Sequence, residues 1–195
     1  SLIFALTLHE FAHAYVAHLC GDDTAKIAGR MSLNPFVHLD LFGSLMVLIA
    51  LFGYARPVPV NPNNYRFRNA DFYIASAGPL MNLFLGVGAT FLLSFLVKNN
   101  LTILAGIPVQ KLLFIFIFIN FNLCLFNLIP LGPLDGNSVF SHFLPPNLKI
   151  RFQNWNYHYG SQALIGLVLL SLLLPGFSAF SWISSISKSM IYELL

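Results

Sequence analysis

His9, Glu10 and His13 stand in the middle of an otherwise apolar run, residues 1–19. No other feature restricts the fold as much. A run of that length is close to the roughly 20 residues a helix needs to cross a bilayer. In hydrocarbon, only a helix or a closed barrel satisfies the backbone. Two histidines and a glutamate are costly at membrane depth, so they must turn toward other helices or a watery cavity, and the default reading is a functional site. The bland alternative is a polar knot joining packed helices. Residues four apart on a helix differ by about 40° in azimuth, so both imidazoles leave one face, one turn apart. Two ring nitrogens then reach one Zn²⁺ at about 2.0–2.1 Å. Glu10 flanks the same face, where a carboxylate takes a proton from water at the metal.

Composition extends the membrane reading to the whole chain. Of 195 residues, 57% are hydrophobic and 9% charged, with mean hydropathy +0.74. Soluble domains carry about 25% charged residues. An all-α polytopic membrane protein of one domain, 1–195, follows. The net charge is +3 and the bases form no stripe, so no nucleic-acid partner is expected. Cys20 and Cys124 lie in or beside apolar runs and read as small buried hydrophobes. The first run lacks a basic n-region and its core is interrupted by ionisable residues, so it does not read as a signal peptide.

Taken in order, residues 1–20 predict a first membrane helix, ended by Gly21-Asp22-Asp23. Residues 41–52 are apolar but short: twelve residues of helix cover roughly 18 Å against about 30 Å of hydrocarbon, so a re-entrant segment is expected. In 56–61, Pro57 and Pro59 flank Val58, which forbids a helix and favours a short extended edge segment. Residues 70–97 and 109–127 predict two further spans. Residues 131–136 are broken by Pro and Gly, as backbone beside a cavity would be. Residues 147–159 are polar and aromatic, which suits the interface. Helical segments are expected over 161–195, with the tail from 177 a last span, a continuation or a surface helix.

Catalytic zinc keeps three protein ligands and an open position. Asp135, between Pro133 and Gly136 after a span, is the leading candidate for the third. Glu193 lacks such a setting, and Asp71 reads as a helix cap. The parity of crossings agrees. If 41–52 does not cross, Asp135 returns to the side that follows the first helix. Residues 21–69 and 131–160 carry seven bases and the 98–111 loop two, so by the positive-inside rule the zinc side faces the cytoplasm.

His9-Glu10-x-x-His13, with Asn127-x-x-Pro130-x-x-Pro133-Leu134-Asp135-Gly136 after a later span, resembles the site-2 protease family of intramembrane zinc metalloproteases. Gly78-Pro79-Leu80-Met81-Asn82 looks like that family's central-helix motif, and the stretch from Phe52 to Asn61 is similar to one in its small prokaryotic members. The resemblance covers roughly residues 1–146, the expected core. It implies His9, His13 and Asp135 as ligands of one zinc per chain and Glu10 as catalytic base. It also implies a bundle around three core membrane helices, a multi-pass place in a prokaryotic plasma membrane, and transmembrane proteins as substrates. With neither a PDZ insertion nor a CBS domain in view, the chain looks like a minimal member.

Asn82 and Asn127 are candidates for holding an oxyanion or substrate, the alternative being capping or helix-to-helix bonding. A substrate helix must unwind before cleavage, and Val58 and Val60 would offer backbone N–H groups for strand addition along 56–61, the alternative being a plain Pro-rich loop. His18 leaves the ligand face, His38 and His158 are expected to be solvated, and His142 is a weak fourth metal candidate. The rival function is a transporter or ion path lined by His9, Glu10, His13 and Asp135. The oligomeric state is not legible.

Overall fold

The computed structural model describes residues 1–38, 56–101, 108–174 and 180–194, and among these there are helices and irregular segments but no strand. The expected re-entrant stretch 41–52 lies outside the described residues. Three helices are long and apolar enough to cross a membrane: α1 (Leu2–Leu19), then two spans 29 and 19 residues long. Between them sits the four-residue helix α2 (Thr24–Ile27). The long spans are α3 (Ala70–Lys98) and α4 (Val109–Asn127). The chain therefore has the all-α, polytopic membrane architecture its composition predicts.

Small residues bring the helices together, since backbones can approach closely where side chains are short. On α1, Ala5, Ala12 and Ala17 are buried; Ala70, Ala77, Gly78 and Ala89 are buried on α3. Ala17 and Cys20 pack with Ala70 and Ile74, while Asn82, three turns further along α3, bonds the Ala5 carbonyl near the start of α1. The two helices thus run antiparallel. Helix α4 is antiparallel to α3: Asn120 meets Asn82, and Ile117 packs with Ala89 and Leu93. Phe121 lies fully buried against Gly86, where an added Cβ would come within 2.4 Å of its ring. The ends of α1 and α4 and the start of α3 consequently share one end of the bundle.

Two helix stops shape that end. After α1, Gly21 takes φ 101°, its N–H bonds the His18 carbonyl and the Asp22 N–H bonds the Ala17 carbonyl at 2.9 Å. After α2, Gly29 takes φ 70°, and the Arg30 N–H bonds the Ala25 carbonyl at 2.8 Å. Both are Schellman turns, which need a left-handed residue that glycine supplies without strain. Each delivers the next residue, Asp22 or Arg30, into a buried position.

The loop after α4 leads into α5 (Gly136–His142), then α6 (Pro146–Trp155), which begins on a proline at N1. A π-helical turn (Asn156–Gly160) joins α6 to α7 (Ser161–Leu173). Helix α8 (Ser181–Leu194) lays Ile183, Ser187 and Ile191, one stripe at i, i+4 and i+8, onto the bundle, with Ile191 among Ala89, Leu93, Ile117 and Phe121. The tail from 181 is therefore a helix packed against α3 and α4.

Candidate metal centre

The antiparallel packing of α1 on α3 sets both histidines against the α3 backbone. His9 and His13 are 4% and 7% exposed, and their Nε2 atoms lie 3.0 Å apart. The loop between α4 and α5 returns Asp135 to them, its Oδ2 standing 3.2 Å from His9 Nε2 and 3.3 Å from His13 Nε2. These three form a group with metal-ligand spacing. Tetrahedral zinc with bonds of about 2.0–2.1 Å separates its ligand atoms by about 3.3 Å, which this triangle matches.

The far side of each ring supports the same reading. His9 Nδ1 bonds Asn82 Oδ1 at 2.6 Å, and His13 Nδ1 bonds the Ile74 carbonyl at 2.7 Å. Both acceptors put the ring proton on Nδ1, which leaves the two Nε2 lone pairs directed at Asp135. Asp135 Oδ2 is buried without a hydrogen-bond donor. Three lone pairs converging with no proton between them suit a divalent cation. The Asn82 amide and the Ile74 carbonyl stand behind the two rings, on the side away from Asp135. Outer groups of this kind fix ring orientation and raise ligand basicity.

Asn82 is fully buried, and its amide is engaged throughout: Nδ2 donates to Asn120 Oδ1 at 2.9 Å and to the Ala5 carbonyl at 3.3 Å. Asn120 in turn donates to the Phe116 carbonyl. One relay thus ties α4 through α3 to the ring of His9. Asn82 thus makes the helix-to-helix bonds that were the alternative to an oxyanion role, with its oxygen on the His9 ring. Asn127 Nδ2 donates to the Leu123 carbonyl on its own helix at 3.0 Å. Asn120 was missed by sequence reasoning, although an amide among Phe and Ile in a span is a signal of the same kind as Asn82.

Gly78 admits the rings. A Cβ there would stand 2.3 Å from His13 Nε2 and 2.6 Å from His9 Nε2. Pro79, next on α3, lacks an N–H and crowds the carbonyl four residues back. One residue before that carbonyl, Ile74 accepts from His13.

Glu10 is buried at 9% exposure and has no hydrogen-bond partner among the described residues. Its charge reaches both His13 and Arg30. Residues 56–60 have no regular secondary structure, and two buried charges grip the stretch at its ends. Arg30 donates to the carbonyls of Val37 and Arg56, and to that of Pro57 at 3.4 Å. Burial lowers the Arg30 guanidinium from its ordinary value; the charge of Glu10 opposes that and the charge of Arg56 adds to it. Asp22 accepts from the Asn61 N–H at 2.6 Å, from Asn64 Nδ2 at 2.9 Å and from Thr24. Val58 is half-buried and Val60 41% exposed, and neither N–H has a partner among the described residues.

Two expectations are corrected. His38 is not solvated: it is 2% exposed and its Nε2 bonds the Ser32 carbonyl at 2.7 Å, because Arg30 draws the 32–38 turn inward. Asp71 does not cap α3: Asn69 holds the cap position and Asp71 lies in the first turn beside Tyr65, whose phenol is pushed up by burial and by that carboxylate. His18 pairs with Asp23, His142 stacks on Phe72 with ring centres 4.5 Å apart, and His158 is exposed. None of the three belongs to the metal group.

Two histidines on one helix turn, met by a distant carboxylate at metal-ligand spacing inside a bundle of apolar helices, fit a membrane metalloprotease. Comparison with known proteins agrees. Peptidase family M50 matches residues 97–170. YwhC of Bacillus subtilis (strain 168), named as a zinc metalloprotease, is 43% identical over 154 residues, which are 77% of this chain and 70% of that protein. Rip2 of Mycobacterium tuberculosis (strain ATCC 25618 / H37Rv), also named as a zinc metalloprotease, is 31% identical over 155 residues, 75% of this chain and 57% of that protein. No solved structure matches the chain. The chain belongs to peptidase family M50, the site-2 proteases its motifs resemble.

Proposed function

We propose that this metalloprotease hydrolyses peptide bonds within or next to the membrane-spanning segments of other proteins, using one zinc ion held by His9, His13 and Asp135. The observation that carries the reading is the triangle of two Nε2 atoms and one carboxylate oxygen, 3.0 to 3.3 Å on a side, inside a bundle of apolar helices. Zinc bound there supplies Lewis acidity and lowers the pKa of its water toward about 7. Glu10 takes the proton from the attacking water and returns it to the leaving amine, as its buried and unpartnered carboxylate allows. Asn82 and Ile74 hold the imidazoles at the angle the metal requires. The unwound substrate pairs along residues 56–61, where the N–H groups of Val58 and Val60 have no partner among the described residues.

The test is Glu10→Gln. The variant keeps about one zinc per chain and loses cleavage by roughly 10²–10⁴-fold, the usual loss of a general base. Cells carrying it accumulate intact membrane proteins that wild-type cells cut. Full cleavage by the Gln variant, or a purified wild-type protein without zinc, would overturn the proposal. An ion-path protein would show no change in any membrane protein.

A further inference from the structure

The third ligand reaches the metal on a loop, and loops place side chains less firmly than helices do. What steadies this one is visible on the side away from the histidines. Within residues 128–136 the chain makes its own turns: Leu131 N–H bonds the Ile129 carbonyl and Leu134 N–H the Leu131 carbonyl, both at 2.8 Å. Gly136 lies so close that a Cβ would come within 2.3 Å of the Leu128 carbonyl. These contacts shape the loop but do not anchor it to the rest of the fold.

The anchor is Asn156. It is 3% exposed, and its Oδ1 accepts the buried Gly132 N–H at 2.7 Å. Among the described residues no other side chain bonds the backbone of 128–135. Asn156 Nδ2 donates to the Phe152 carbonyl at 3.3 Å, which fixes the amide so that its oxygen faces Gly132. Asn156 opens the π-helical turn, and Gly160 closes it. At Gly160 a Cβ would stand 2.8 Å from Asn156 Oδ1 and 2.9 Å from Gly132 N, so glycine leaves room for the bond. π-Turns inside helices are rare and cluster at functional sites.

We infer that Asn156 is a positioning residue for the metal centre: through Gly132 it holds the loop so that Asp135 meets His9 and His13. The inference rests on Asp135 being the third ligand. Asp135→Ala is therefore run alongside and isolates a failure of that assignment, which would show as unchanged zinc affinity.

Zinc affinity is measured on purified protein by competition with a chromophoric chelator, together with thermal unfolding of the zinc-free forms. Asn156→Leu, which removes the acceptor and keeps the volume, is expected to weaken zinc about 10–100-fold, the range for lost outer partners of a ligand. Gly160→Ala, acting on the same bond from the other side, shifts affinity in the same direction. Asn156→Ser keeps a hydroxyl that accepts from the Gly132 N–H and donates to the Phe152 carbonyl four residues back, and is expected to bind zinc at least about threefold more tightly than Asn156→Leu. A packing role alone would not be rescued by the acceptor. Wild-type zinc affinity in folded Asn156→Leu, with Asp135→Ala impaired, overturns the inference. So does a Ser variant as weak as the Leu variant.

Discussion

At the scale of single residues, the centre depends as much on an absent side chain as on the ligands. Gly78 sits where α3 meets both rings, and a methyl group there would lie within 2.3 Å of His13 Nε2. Neither ring can retreat, because His9 Nδ1 is held by Asn82 and His13 Nδ1 by the Ile74 carbonyl. Gly78→Ala is therefore expected to lower zinc occupancy at least about tenfold, as loss of ligand geometry does, while the helical circular dichroism stays that of wild type. Metal analysis of the purified variant checks it, and zinc at one per chain would show that the helices can part without losing the site. The asparagine relay is legible in the same physical terms. An amide in a span is tolerated only with partners, and Asn82 and Asn120 are each other's.

At the scale of elements, two helix stops organise the approach to the centre. Gly21 and Gly29 end α1 and α2 in left-handed turns, and the buried charges that follow, Asp22 and Arg30, hold the two ends of residues 56–61. Replacing Asp22 by Asn sets an amide against the Asn61 N–H and leaves a donor unpaired, which costs about 1–3 kcal/mol. Trypsin cleavage after Arg66 should then quicken by about tenfold or more, because that cost raises local opening. The pH dependence has a definite sign. For the Asp22 carboxyl burial works upward, but bonds from Thr24, Asn61 and Asn64 bring it below its ordinary 3.8. A carboxyl lowered on folding adds stability above its unfolded value, and that stability is lost as pH falls through the folded one. Wild type should accordingly show the same loosening to pepsin only below pH 3.8.

The segment so held tests substrate capture. Successive residues of an extended chain face opposite edges, so Pro57 and Pro59 mark one edge and the N–H groups of Val58 and Val60 the other. Val58→Pro removes a donor from the pairing edge, whereas Val58→Thr leaves it. Cleavage of a membrane substrate should fall at least about tenfold further in the Pro variant, as expected when strand addition loses a main-chain bond, with zinc content equal in both. Equal activities would return the stretch to a plain loop.

At the scale of the whole molecule, the ends of α1 and α4 and the start of α3 lie together, and the segments joined to them carry seven of the basic residues. From the positive-inside rule we propose that this end, with the candidate metal centre, faces the cytoplasm. Cysteine placed at Asn100 should react with an impermeant maleimide in intact cells, and cysteine at Asn63 only after permeabilisation. The native Cys20 and Cys124 are buried and give little background. Labelling at Asn100 from the cytoplasmic side alone would invert the topology.

The spans, the His9-Glu10-x-x-His13 turn and the candidacy of Asp135 were all legible in the chain, because each is a local pattern read against a costly environment. An apolar run admits few structures in a bilayer, and ionisable residues inside one need a reason. What packing alone supplied is everything that depends on partners far apart in sequence. That Asn82 orients His9, that Gly78 makes room for both rings, and that Asp22 and Arg30 grip residues 56–61 follow from contacts between segments tens of residues apart. The same holds for Asn156, whose meaning comes from Gly132, 24 residues earlier. An asparagine or a glycine carries the same propensities wherever it stands. Which backbone group it faces is set by how helices cross, and that crossing is a property of the packed bundle.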